Sequence, residues 1–231
     1  MLEESQNRRL ALLEDVSADS LMIHEIYGSI QGESSYAGLP CTFVRTAACH
    51  LRCRYCDTPH AFNQGQSMSL EGIEEAVHKL GHPLVEVTGG EPLLQENVLP
   101  LMTRLCDRGY KVLLETSGSL DIGVVDPRVV RIVDMKTPFS GEQEANRYEN
   151  LELLADRDEV KFVIADRIDY AWAKSLILEY ELDKRSTVLM GTVHGAMADA
   201  ELIDWILQDK IEVRFQIQTH KIIWDSKARG V

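Results

Sequence analysis

The sequence predicts an α/β fold, an abbreviated partial (β/α) barrel of about six or seven mostly parallel strands. Three observations predict it. Short apolar runs rich in β-branched residues recur along the chain. Segments with helical period separate many of them. The polar, glycine-bearing motifs follow directly after the runs, where such folds gather reactive residues at strand C-terminal ends.

The strand runs are 39–47, 84–88, 111–116, 129–136, 160–164, 186–190 and 213–218. The helical segments are 70–80, 93–108, 167–180 and 196–208. Gly109 stands where a helix C-terminal glycine belongs, and Asp166 is placed to cap the third helix. Strand–helix–strand order requires right-handed parallel crossovers. Residues 1–20 read as an N-terminal extension, with Leu10, Leu12, Leu13 and Val16 able to form a short helix. The single catalytic domain is expected over 21–231.

The 231 residues suffice for one such domain with a sizeable core, at 45% hydrophobic and 26% charged. The formal net charge is −13, from 37 acidic and 24 basic side chains. That balance opposes nucleic acid as a partner. No apolar run reaches the roughly 18–20 residues of a membrane span, and the charged N-terminus lacks a secretory core, so a cytoplasmic protein with no membrane partner is expected. Five cysteines, an odd number, argue against a disulfide framework. Cys41 in a strand and Cys106 late in a helix read as packing residues.

The other three form Cys49-His50-Leu51-Arg52-Cys53-Arg54-Tyr55-Cys56. Soft thiolates suit iron–sulfur clusters and zinc. Three cysteines leave one iron of a cubane open to chelation. The alternative is zinc on these cysteines with His50 or His60. The C-x3-C-x2-C spacing resembles the radical S-adenosylmethionine (SAM) superfamily, as does the aromatic Tyr55. Thr88-Gly89-Gly90-Glu91-Pro92 resembles that superfamily's element for the SAM amino group. Its glycines permit close backbone approach. The resemblance implies a partial barrel of the radical SAM type, a [4Fe-4S] cluster on Cys49, Cys53 and Cys56, and SAM against Tyr55, Cys56, Asp57, Gly90, Glu91, Ser117 and Lys136. Ser117 belongs to Glu115-Thr116-Ser117-Gly118, and Lys136 to Asp134-Met135-Lys136, both at strand ends.

Three further segments narrow the substrate. They are Gln31-Gly32-Glu33 within 25–33, Cys56-Asp57-Thr58, and Gln218-Thr219-His220-Lys221. Together they resemble the 7-carboxy-7-deazaguanine synthase (QueE) family of the 7-deazapurine and queuosine pathway, over about 21–231. The resemblance implies a lyase converting 6-carboxy-5,6,7,8-tetrahydropterin to 7-carboxy-7-deazaguanine with loss of ammonia. It implies a homodimer, catalytic use of SAM, Mg2+ at Thr58, and a reductant such as flavodoxin or ferredoxin. It places the pterin against Ile30, Gln31, Gly32, Glu33, Arg45, Thr88 and the terminal carboxylate of Val231. Gln218–Lys221 is read as continuing a strand that closes the barrel. No general base is singled out. Around residue 190 the family's Gln-Pro or Ser-Pro contact is replaced by Met190-Gly191-Thr192-Val193-His194, with Thr192 or backbone as the substitute. The rival readings are a glycyl-radical-enzyme activase, which shares the triplet, and a non-catalytic iron–sulfur or zinc scaffold.

Overall fold

Among the described residues of the computed structural model (9–14, 16–225 and 228–230), nine strands share one sheet. They are β1 (Ser20–Ile30), β2 (Pro40–Thr46), β3 (Gln66–Ser69), β4 (Leu84–Gly89), β5 (Lys111–Thr116), β6 (Val130–Met135), β7 (Glu159–Ile164), β8 (Thr187–Thr192) and β9 (Arg214–Phe215). The order is β3-β1-β2-β4-β5-β6-β7-β8-β9. Strands β2 and β4 to β9 run parallel, and β1 runs antiparallel to β2 and β3. All seven predicted runs are strands of this parallel array.

β1 and β3 were not among the predicted strands. β1 reads Ser-Leu-Met-Ile-His-Glu-Ile-Tyr-Gly-Ser-Ile, too mixed for a clean period, and β3 arises from the short insertion after the cysteine loop. The run 213–218 is a strand only over Arg214–Phe215. Gln218–Lys221 does not continue it. The Gln218 amide donates to Glu33 Oε1 at 2.9 Å, and Thr219 N–H donates to the Gly32 carbonyl at 2.9 Å. These contacts turn the chain into a one-turn helix (His220–Ile223).

The sheet is open, with β3 and β9 at its edges, yet it curls. The loop after β1 reaches the far side: Ser34 N–H donates to Gln216 Oε1 at 2.9 Å, and Ser35 N–H to Glu159 Oε1 at 3.0 Å. The second strand in the order is thus tied to the seventh and ninth, and the interior is enclosed.

Helices α1 (Leu70–Leu80), α2 (Val98–Asp107), α3 (Arg167–Glu179) and α4 (Asp199–Asp209) pack outside. Their ends follow local chemistry. Ser69 caps α1 by accepting from Gly72 N–H, and Gly81 ends it with φ +74°. Asp166 caps α3 through two N–H groups, as predicted, and Gly109 follows α2 with φ +86°.

Alternation sorts the strand residues. On β4 and β5, Val85, Val87, Val112 and Leu114 face out into the cluster with α1 and α2 residues. A second outer cluster around Phe162, Tyr170 and Ile177 packs α3 and α4. The opposite face carries Cys41, Phe43, Leu84, Leu113, Val130 and Ile132, an apolar floor under the interior. Leu114 is fully buried on a central strand. Leu114→Ala is expected to cost about 2–5 kcal/mol, read by urea unfolding of the purified chain.

Candidate active site

A cavity of about 580 Å³ opens at the C-terminal ends of the parallel strands and runs down to the loop after β1. Parallel register brings the motifs to this edge. The cysteine loop follows β2, Thr88–Pro92 spans the end of β4, Ser117 follows β5 and Lys136 follows β6.

The cysteine loop is held from several sides. Arg52 donates to the carbonyls of Cys49 (2.7 Å) and Leu51 (2.6 Å), and its guanidinium lies 4.1 Å from the Phe62 ring centre. Its own N–H donates to Glu142 Oε1 at 2.6 Å. His50 Nε2 lies 2.9 Å from Ser119 Oγ. Cys49 is buried, and Cys53 and Cys56 are half-buried. Burial pushes the Cys49 thiol up to about 12 and the Cys53 thiol up to about 11. Metal uptake there must therefore displace protons.

The donor set tests which group fits. Zinc–thiolate bonds of about 2.3 Å put tetrahedral sulfurs less than about 4 Å apart. Among the described residues, the His/Cys/Asp/Glu trio whose ligand atoms fall within 4.8 Å of one another is His24, Glu25 and His60, without a cysteine. The three sulfurs line one cavity at a wider spread than one ion requires. Soft donors so spaced could hold a polynuclear iron–sulfur cluster. His60 lies against His24, and His50 meets Ser119 through Nε2 while its buried Nδ1 has no partner among the described residues, so the spread of the sulfurs, not a lack of imidazole, disfavours a single zinc ion.

The glycines of the β4 turn serve the cysteine loop itself. A Cβ on Gly90 would overlap the Ala48 carbonyl and lie 2.9 Å from the Cys49 Cβ. Gly90 N–H donates to the Thr46 carbonyl at 3.1 Å, and Glu91 N–H to the Ala48 carbonyl at 2.9 Å. Ala48 itself has φ +72°. The turn and the loop are thus one packed unit.

Glu91, expected against the SAM amino group, has its carboxylate turned into the protein. Its side chain is fully enclosed and absent from the cavity wall. Oε1 accepts from Leu93 N–H (3.1 Å) and Thr116 Oγ1 (2.8 Å), and Oε2 from Ser117 N–H (2.8 Å) and Oγ (2.5 Å). A carboxylate so satisfied has little capacity left for an ammonium. It staples the end of β5 to the β4 turn and so positions Ser117. Ser117, Gly90, Tyr55, Asp57 and Lys136 do line the cavity. Lys136 pairs with Asp134 at 3.0 Å. Burial alone would lower its ammonium, but Asp134 holds it above the usual lysine range.

The lower half of the cavity is charged. Lys161 Nζ lies 2.6 Å from Glu33 Oε2, 2.5 Å from Glu115 Oε1 and 3.7 Å from Asp134 Oδ2. Burial alone would lower this ammonium, but the three carboxylates hold it well above the usual lysine range. Glu115 is raised by burial and lowered more by Lys161, so it stays ionised. Thr88 Oγ1 donates to Glu115 Oε2 at 3.3 Å. Arg45 donates from Nε to Glu25 Oε1 at 2.8 Å and from Nη2 to Tyr27 OH at 3.0 Å. Gln31 donates its amide to Glu86 and accepts from Glu33 N–H at 2.6 Å. Burial, with Glu115 and Glu33 nearby, pushes Glu86 well above the carboxylate range.

Ile30, Gln31, Gly32, Glu33, Arg45 and Thr88 all line this one cavity with the three cysteines. Thr58 lines it too, its hydroxyl 3.9 Å from Cys56 Sγ. The Gln31–Glu33 and Gln218–Lys221 elements, almost 190 residues apart, touch through Gln218–Glu33 and Thr219–Gly32. Lys221 Nζ reaches Asp57 Oδ2 at 2.8 Å. Val193, His194 and Gly195 form the wall where the Gln-Pro or Ser-Pro element was expected, and Thr192 is bonded outward to Asp199. Val231 lies outside the described residues.

Sequence reading missed Lys161, Glu86 and the role of Glu115. A signal was present. Parallel strands buried on both faces should be almost wholly apolar, yet LVEVTG, KVLLET and EVKFVI each carry a charged residue mid-run.

This fold and this cysteine-lined cavity are those of a radical SAM enzyme. The family model for the radical SAM superfamily matches residues 43–134. The fold resembles the crystal structure of QueE from Escherichia coli, with TM-score 0.72 and 23% identity over 87% of this chain and 95% of that one. A 7-carboxy-7-deazaguanine synthase from Koribacter versatilis is 46% identical over 91% of this chain and 100% of the relative. One from Chlorobaculum tepidum is 47% identical over 91% and 97%. The chain belongs to the 7-carboxy-7-deazaguanine synthase family, and its cofactors are accordingly a [4Fe-4S] cluster and SAM.

Two outcomes are expected from this geometry. Gly90→Ala should lower iron content after reconstitution by roughly half or more, with the far-UV circular dichroism unchanged. The second concerns Glu86, whose folded-state carboxyl titrates above its ordinary value of 4.5. Its stabilising contribution is complete below that value and is lost as pH rises through the folded-state value. Glu86→Gln should therefore gain stability relative to the parent between pH 5 and pH 8, measured by urea midpoints.

Proposed function

We propose that this chain converts 6-carboxy-5,6,7,8-tetrahydropterin to 7-carboxy-7-deazaguanine with release of ammonia. The observation that carries it is the meeting of Gln31–Glu33 with Gln218–Lys221 in the cavity that the three cysteines line. Cys49, Cys53 and Cys56 hold the cluster, which with SAM supplies the hydrogen-abstracting radical of this enzyme class. Gly90, Tyr55, Asp57, Ser117 and Lys136 receive SAM at the upper wall, with Glu91 acting behind Ser117.

The pterin lies below, against Ile30, Gln31, Gly32, Glu33, Arg45 and Thr88. Glu33 is suited to accept from the guanidine-like edge of the pterin, because each oxygen takes one donor, Gln218 on Oε1 and Lys161 on Oε2, and keeps a lone pair. Lys161, together with Lys136 on Asp134, offsets most of the charge of the carboxylates around it, so the floor binds a polar ring without a large uncompensated charge. Thr58 offers a hydroxyl to Mg2+, a hard cation, beside the substrate carboxylate. Lys221 fixes Asp57 and so couples the C-terminal turn to the cysteine loop. The chain's contribution is orientation and exclusion of water.

The reading includes an electron donor such as flavodoxin or ferredoxin, a homodimer, and a cytoplasmic location. Among the described residues no helix is long and apolar enough to cross a membrane. It also takes 21–231 as the catalytic unit; β1 begins one residue earlier, at Ser20, and Asn97 Nδ2 donates to the Ala18 carbonyl at 2.9 Å, so residues 18–20 pack with that unit.

The test is an anaerobic assay of iron-reconstituted protein with SAM, reductant, Mg2+ and 6-carboxytetrahydropterin, read by mass spectrometry. The expected result is 7-carboxy-7-deazaguanine, absent with Cys53→Ala. SAM cleavage without that product would discard the pterin and favour a protein substrate, as in a glycyl-radical-enzyme activase.

A further inference from the structure

His24 and Glu25 are consecutive on β1, and a regular strand would send them to opposite faces. A register shift between Ile23 and Glu25 changes that. Ile23 pairs with Thr46 and Glu25 with Arg45, so two steps on β1 match one on β2, and His24 is the extra residue. Such bulges re-aim side chains. His60 approaches from the short turn Pro59–Phe62, just beyond the cysteine loop, with its ring centre 4.8 Å from that of His24. One ligand atom from each of His24, Glu25 and His60 lies within 4.8 Å of the other two.

The protons and lone pairs are arranged for a ligand. His24 Nδ1 lies 2.8 Å from the Gln64 carbonyl oxygen. A carbonyl only accepts, so Nδ1 carries the hydrogen and Nε2 keeps its lone pair. A second nitrogen tied to a backbone carbonyl is the usual support for a metal-binding histidine. Glu25 gives Oε1 to Arg45 and retains Oε2. All three residues are half-buried, so an ion would be partly shielded yet reachable.

We propose that His24, Glu25 and His60 form a binding site for a divalent transition-metal ion of the Zn2+ type at the rim of the cavity. Two imidazole nitrogens and one carboxylate oxygen suit Zn2+ or Co2+, whereas Mg2+ and Ca2+ prefer all-oxygen sites. Bonds of about 2.0–2.2 Å would draw the three groups together by side-chain rotation. Glu25 and His60 also line the main cavity, so a remaining coordination position is open to water there. The ion would pin the bulge of β1 to the segment that follows Thr58. Arg45 competes for Glu25, which sets the expected affinity in the micromolar range rather than tighter. The site is independent of the substrate reading and of its assay.

The test is calorimetric titration of the cluster-reconstituted full chain with ZnCl2, with bound zinc counted by elemental analysis at equilibrium dialysis against a saturating, known zinc concentration. One equivalent should bind. His24→Ala and His60→Ala should each weaken binding at least tenfold, while His78→Ala, an exposed histidine on α1, should leave it unchanged. Cluster absorbance checks that each variant is folded and loaded. As a second measurement, Zn2+ should raise the Tm of the parent and not of His24→Ala. No saturable binding, equal binding in all variants, or binding lost only with Cys53→Ser would overturn the proposal.

Discussion

Lys161 is a buried ammonium on β7 with three carboxylates around it, and each comes from a different segment. Glu33 follows β1, Glu115 ends β5 and Asp134 ends β6. An unpaired charge at that depth would be very costly, and so would the carboxylates without it. The pairing therefore links both sides of an open sheet across its own interior. It also makes the cavity polar at the level where the apolar floor of Leu84, Leu113 and Val130 ends. Glu86 stands just outside this group, and burial with the same crowding of negative charge pushes its carboxyl well above the usual carboxylate range.

Above that hub, the cysteine loop depends on backbone fit more than on side-chain bonds. Gly90 approaches the Ala48 carbonyl so closely that no Cβ fits. The β4 turn thus presses the loop into shape from below, and Arg52 holds two of its carbonyls from inside. Glu91 ties the same turn to the end of β5. Three successive elements of the parallel array therefore share one rigid rim. Soft ligands are placed there before any metal arrives, in surroundings that favour neutral thiols until it does.

The C-terminal turn connects the upper and lower levels. Gln218 bonds Glu33 in the floor, while Lys221 bonds Asp57 just after the third cysteine. A shift at either level is felt at the other through a few polar contacts. The Gln218–Glu33 bond is shielded by the cavity walls, whereas the Asp57 side chain is 47% exposed and its bridge to Lys221 is screened more strongly.

Local chemistry was enough for the parallel array. The seven runs are apolar and β-branched, helical segments separate many of them, and period, Asp166 and Gly109 already specify strands and helices. The cysteine spacing specified a metal-binding loop, because three soft donors within eight residues have few other uses. Only the tertiary structure decided which residues meet. Gln218 pairs with Glu33 across almost the whole chain, Lys161 finds three carboxylates from three segments, and Glu91 turns its carboxylate into the protein. The physical reason is that a strand's sequence shows its alternation but not its neighbour's register or the curl of the sheet. Those follow from packing over distances that no local pattern encodes.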